Sequence, residues 1–66
     1  MKVRETLRVG VGRITVETFK PMFRAPLVNL NLLRTDGPQP IQLWMHLDKQ
    51  NVTELIEMLS AARNEL

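Results

Sequence analysis

Cysteine and tyrosine are absent from this 66-residue chain, and histidine, serine and tryptophan occur once each, as His46, Ser60 and Trp44. Without cysteine there is neither a disulfide framework nor a thiolate metal site. A single histidine leaves no cluster of imidazoles to hold a metal, and no cofactor is implied. No apolar run approaches the ~20 residues that a membrane-spanning helix needs. Met1 to Glu5 lead into alternating polar and apolar residues instead of an unbroken hydrophobic stretch, so no export signal is expected. A cytoplasmic protein with no membrane partner is the default expectation.

The residues that are present describe a small globular unit, 44% hydrophobic and 24% charged. That charge is too low and too mixed for intrinsic disorder. One domain fits the length and two do not. A core of this size rarely supplies more than about 3–5 kcal/mol net, so such chains usually lean on disulfides, a metal or a partner subunit. With the first two missing, association with another chain is what remains. The net charge of +2 hides an asymmetry: residues 1–34 hold seven Lys and Arg against Glu5 and Glu17, whereas residues 35–66 hold Lys49 and Arg63 against five acids.

Along the chain, the plainest signal is Val52, Leu55, Ile56, Leu59 and Ala62, which recur at spacings of three and four and mark an amphipathic helix over about 49–64. Asp48 can cap it, and Asn51 followed by Glu54 has the form of a capping box. Before it, Ile41, Leu43, Met45 and Leu47 alternate with Gln42, Trp44 and His46, the period of a half-buried strand. Val28, Leu30 and Leu32 alternate in the same way, and the turn-forming Thr35–Pro40 joins the two as a hairpin over 27–47. In the first third, Leu7, Val9 and Val11 are odd while Ile14 and Val16 are even, so parity reverses around Gly12. Either a tight hairpin turn through Gly10–Arg13, with strands near 3–9 and 14–19, or one long bulged strand accounts for it. The fold class that follows is α+β: a three- to four-stranded antiparallel meander with one C-terminal amphipathic helix packed on one face, burying Leu55, Ile56 and Leu59 deeply.

Enzyme chemistry finds little to use. Nucleophilic catalysis needs a hydroxyl or thiol beside a base, and Ser60 on the helix does not converge with His46, which points away from the helix-covered face. Among the carboxylates, Asp36 belongs to a turn, Asp48 to a cap, and Glu54 and Glu57 to the solvated side of the helix. Gly10-Val11-Gly12 lacks the third glycine and the following helix of a phosphate-binding loop. The expected catalytic, cofactor and metal sites are therefore none.

More informative is the sheet face that one helix cannot cover. By parity it carries Arg4, Arg8, Arg13, Thr15, Glu17, Phe19, Asn29, Asn31, Gln42, Trp44 and His46. Trp, Phe and Arg are enriched at the centres of protein interfaces, so Trp44, Phe19, Arg8, Arg13, His46 and Asn31 are the candidate partner-interface residues. A homodimer through this face is expected, with an arginine of one copy meeting Glu17 of the other and Trp44, Phe19 and Leu33 closing its centre. A second reading makes the same face a stacking platform for single-stranded nucleic acid, with rings under the bases and arginines on the phosphates. A third leaves it as ordinary solvated surface.

Val11-Gly12 followed by Ile14-Thr15-Val16 and Phe19, the apolar strand Leu27–Leu33, a proline-containing turn, Leu43-Trp44-Met45, Asp48 and the Leu- and Ile-rich helix together resemble the small enterobacterial biofilm-regulator family BssS, over roughly residues 11–60. That resemblance implies a non-enzymatic bacterial regulator acting through contacts with other macromolecules. It carries over no functional residue. Small proteins of similar build also occur among phage and prophage accessory genes. The sequence is thus read as a regulatory protein working through protein–protein contacts, with single-stranded nucleic-acid binding as the alternative.

Overall fold

A computed structural model describes residues 2–66 of the chain. Four strands, β1 (Arg4–Val9), β2 (Gly12–Phe19), β3 (Leu27–Arg34) and β4 (Ile41–Leu47), are followed by one helix, α1 (Lys49–Asn64). The strands lie in the sheet in chain order, each antiparallel to the next, as an open meander. The expected α+β class is the observed one, and the hairpin over 27–47 has the expected six-residue connection.

The parity reversal in the first third is a tight hairpin. Val9 pairs with Gly12, so only Gly10 and Val11 lie between the strands, and β2 begins two residues earlier than the sequence suggested. A two-residue turn places odd positions of β1 opposite even positions of β2, as with Leu7 and Ile14, which produces the reversal. The two glycines have different roles. A methyl group on Gly10 would meet nothing within 4 Å, whereas one on Gly12 would lie 1.8 Å from the Leu33 carbonyl oxygen. Gly12 is therefore needed for the close approach of β2 to β3. Gly12→Ala is expected to cost about 1–3 kcal/mol, lowering the melting midpoint by roughly 5–20 °C. Gly10→Ala is the control: equal midpoints for the two variants in thermal denaturation would remove this account of the motif.

The connection between β3 and β4 is fixed by a two-pronged ion pair in which the Arg34 guanidinium donates through Nε and Nη2 to the two oxygens of Asp36, the second at 3.0 Å. Arg34 holds the Asp36 carboxyl below its usual value. Whatever this surface pair contributes is present above the ordinary aspartate range and is lost as pH falls through the lowered value.

Helix α1 occupies the expected span, and its start is fixed by Asp48, whose backbone is extended (φ −82°, ψ 178°). The Asn51 N–H donates to Asp48 Oδ1 at 2.8 Å, while the Asp48 N–H donates back to Asn51 Oδ1 at 3.4 Å. The capping box thus joins Asp48 to Asn51, not Asn51 to Glu54 as the sequence suggested. Glu54 instead accepts from Gln50 Nε2 at 3.3 Å, one turn away.

Register divides the sheet into two contrasting faces. One carries Leu7, Val9, Ile14, Val16, Val28, Leu30, Leu32, Ile41, Leu43, Met45 and Leu47. The other carries the arginines, amides and rings. This partition is the one read from parity.

The deep burial expected of the helix stripe is not found. Because only Asp48 separates β4 from α1, the helix direction is set by its exit from the sheet, and it touches β3 and β4 alone. Leu55 is half-buried, but Ile56 and Leu59 are 59% and 61% exposed. On the far strands and the outer edge the apolar face is equally open, with Leu7 at 61% and Ile41 at 62%. Among the described residues no side chain is buried. The chain exposes 6069 Å², against about 4,300 Å² for a folded monomer of its mass. Its radius of gyration is 13.7 Å, where a compact domain of this length would have about 11 Å.

Candidate functional site

The six residues singled out from sequence, Arg8, Arg13, Phe19, Asn31, Trp44 and His46, all fall on the polar face of the sheet. They do not form one cluster. Three rings gather at the end of the sheet nearest the β2–β3 connection, and the arginines gather at the other end.

The ring cluster is built across strands. Phe19 ends β2, and Trp44 and His46 are two residues apart on β4, hence on the same face. The Phe19 and His46 ring centroids are 4.7 Å apart with planes at 58°, and those of His46 and Trp44 are 5.2 Å apart at 38°. These separations lie in the range of favourable aromatic pairs, so the three rings support one another as a continuous strip. Trp44 remains 58% exposed, with ring surface left over for a partner. Leu33, expected beside Phe19, lies six residues further along β3 than the Phe19 partner Leu27, about 20 Å away at the usual rise per residue. It belongs to the arginine end of the face.

Asn29 sits beneath this strip, paired in register with His46 on one side and Glu17 on the other. Its Oδ1 is shielded from solvent and has no hydrogen-bond partner. Asn31, one pair further along, accepts from Gln42 Nε2 at 3.2 Å. The two asparagines on alternate positions of β3 thus differ: one amide is engaged by the neighbouring strand and the other presents an unsatisfied acceptor.

Next to the rings runs a groove of about 330 Å³ whose walls include Arg4, Arg13, Thr15, Asn29, Asn31 and Gln42. The Thr6 and Thr15 hydroxyls meet across it at 3.3 Å. Glu17 is its one acid, and that carboxylate is already shared by Lys2 at 3.7 Å and Arg4 at 3.9 Å of the same chain. The intermolecular Arg–Glu17 pairing expected from sequence would have to displace these contacts. Arg8 and Arg13 stand directly opposite each other in the β1–β2 register. Like charges so placed repel, and among the described residues no carboxylate lies within ion-pairing distance of either. This end of the face therefore carries two arginine charges without a carboxylate to balance them.

Sequence reasoning missed the tip of the β2–β3 connection. Arg24 N–H donates to the Pro21 carbonyl at 3.4 Å, closing a turn whose third residue, Phe23, has φ 64° and is 98% exposed. An aromatic residue in the left-handed region is strained. Phe23 lies four residues after Phe19, the last residue of β2. Pro21 and Pro26 mark this segment as a loop, but φ at Phe23 is not written in the residue types around it.

Ser60 and His46 remain on separate elements, the helix and β4, and among the described residues no group of three or more His, Cys, Asp or Glu gathers in metal-binding proximity. No described helix is long and apolar enough to cross a membrane. Comparison with known proteins returns no match: no family model, no curated protein and no solved structure is similar to this chain.

Proposed function

We propose that this chain is a non-enzymatic cytoplasmic regulator that acts by binding, and that the partner of its polar sheet face is a single-stranded nucleic acid. The observation that carries the reading is the union, on one face, of an unbroken Phe19–His46–Trp44 strip with a groove walled by Arg4 and Arg13. Bases stack on aromatic faces whatever their identity, and arginines beside the rings neutralise the backbone. Asn31 and Gln42 line the path between, and the Asn31 Nδ2 and Gln42 Oε1 left over from their mutual hydrogen bond offer contacts to base edges or sugars. An acidic protein segment would also find the arginines. Three tilted rings in a row suit successive stacked bases better than an acidic segment, and this reverses the order of the two readings drawn from sequence. The likeness to biofilm regulators is in keeping with action by contact in either case.

The test is direct binding of fluorescently labelled oligonucleotides, single-stranded and duplex, followed by anisotropy across a salt series. The single strand is expected to bind more tightly than the duplex. Its affinity should fall with salt with a log–log slope of roughly −2 to −3, as expected for neutralising three or four phosphates at about 0.7 each. Absence of binding at low salt, or equal affinity for duplex, would return the face to a protein partner.

A further inference from the structure

The apolar face of the sheet and the apolar stripe of α1 are both only partly covered, and they belong to the same chain. We infer that a second copy covers them: two chains associate about a two-fold axis through their apolar faces, each helix lying on the partner's sheet, with both polar faces turned outward.

Three observations converge on a second copy. The first is area. The chain exposes 6069 Å², about 1,800 Å² more than a folded monomer of its mass should. Obligate dimers bury roughly 1,000–2,500 Å² on each partner, so the excess has the size of one side of such an interface. The second is geometry. Helix α1 touches only β3 and β4, so it does not cover Leu7 and Val9 on β1. A helix arriving from a two-fold mate does, and the same operation gives that mate's bare stripe of Ile56 and Leu59 a sheet to rest on. Such exchange is self-complementary and closes at two chains. The third is charge. On the strands of the apolar face the only charged side chains are Glu5 and Arg34, and Arg34 is engaged by Asp36. Charge of this kind is depleted in interface centres. Pairing through the polar face instead would bring the unbalanced Arg8 and Arg13 of two copies together.

The polar faces left outside carry the ring strips and arginine grooves, one per copy. Self-association and partner binding thus use opposite sides of the same sheet, and the inference holds whatever the polar face binds.

Sedimentation of the full chain at micromolar concentration should report twice the 7.6 kDa chain mass. The thermal midpoint should rise by roughly 10 °C over a hundredfold increase in concentration, because only the associated form is folded. Isotope-filtered NOE spectra of a mixture of labelled and unlabelled copies should show methyl contacts from Ile56 and Leu59 of one copy to Leu7 and Leu43 of the other. Three results overturn the inference. A folded monomer with a concentration-independent midpoint means that the helix closes on its own sheet. A chain that stays unfolded alone means that a different protein covers the face. A dimer whose intermolecular contacts join Trp44 and Phe19 places the interface on the polar side.

Discussion

Leu43→Glu is expected to abolish the folded protein, while Gln42→Glu, one residue away, leaves it standing. The two positions are adjacent on β4 and point to opposite faces, Leu43 beside Leu32 and Gln42 beside Leu33. In the single chain both are exposed, Leu43 by 55%, so an isolated chain would tolerate either carboxylate about equally. In the dimer Leu43 lies under the partner's helix. An unpaired carboxylate taken out of water there costs several kcal/mol, about the whole stability of a domain this small. Gln42 loses only its exposed hydrogen bond to Asn31, and surface changes of that kind usually stay within about 0.5–1 kcal/mol. Circular dichroism at micromolar concentration measures both. Equal helix and strand content in the two variants would mean that the apolar face is solvated in the working protein, and the dimer would fall with it.

Trp44→Ala is expected to leave melting nearly unchanged and to remove most of the affinity for a single-stranded oligonucleotide. Trp44 is the more exposed end of the ring strip and buries little against its own chain. Loss of one stacked base costs about 1–3 kcal/mol, or roughly 5- to 150-fold in affinity. Arg13→Ala should act differently, weakening binding to all sequences alike and making the salt slope shallower by about one charge. The pair of variants thus separates stacking from charge neutralisation. Unchanged affinity in Trp44→Ala would show that the rings are not the platform, even if the arginines still bind.

The legibility of the fold followed from period. Alternation in Ile41–Leu47 and the three-and-four spacing of Val52–Ala62 are one-dimensional signals of two- and 3.6-fold geometry, and both elements lie where those signals put them. Register came with them, because alternation fixes which side chains share a face once the turns are short. What period cannot express is the angle at which one element leaves another. A single residue, Asp48, joins β4 to α1, and the path it imposes keeps the helix off the far half of the sheet. The expectation that Ile56 and Leu59 would be deeply buried failed there, since an amphipathic stripe says that something must cover it and not which chain supplies the cover.

The candidate site divides along the same line. Composition and parity alone put Arg8, Arg13, Phe19, Asn31, Trp44 and His46 on one face, because neighbouring strands of a meander pair residue by residue. Their separation into a ring strip and an arginine end depended on strand lengths and on where each hairpin closes. The carboxylate of Glu17, free to meet another copy as far as sequence could say, is held within the chain by Lys2 and Arg4. The sequence by itself therefore determined the elements, their order and the two faces of the sheet, all consequences of local backbone geometry and side-chain alternation. Only the tertiary structure decided that the apolar face stands open and that the rings touch. Both depend on distances between residues far apart in the chain, which no local period encodes.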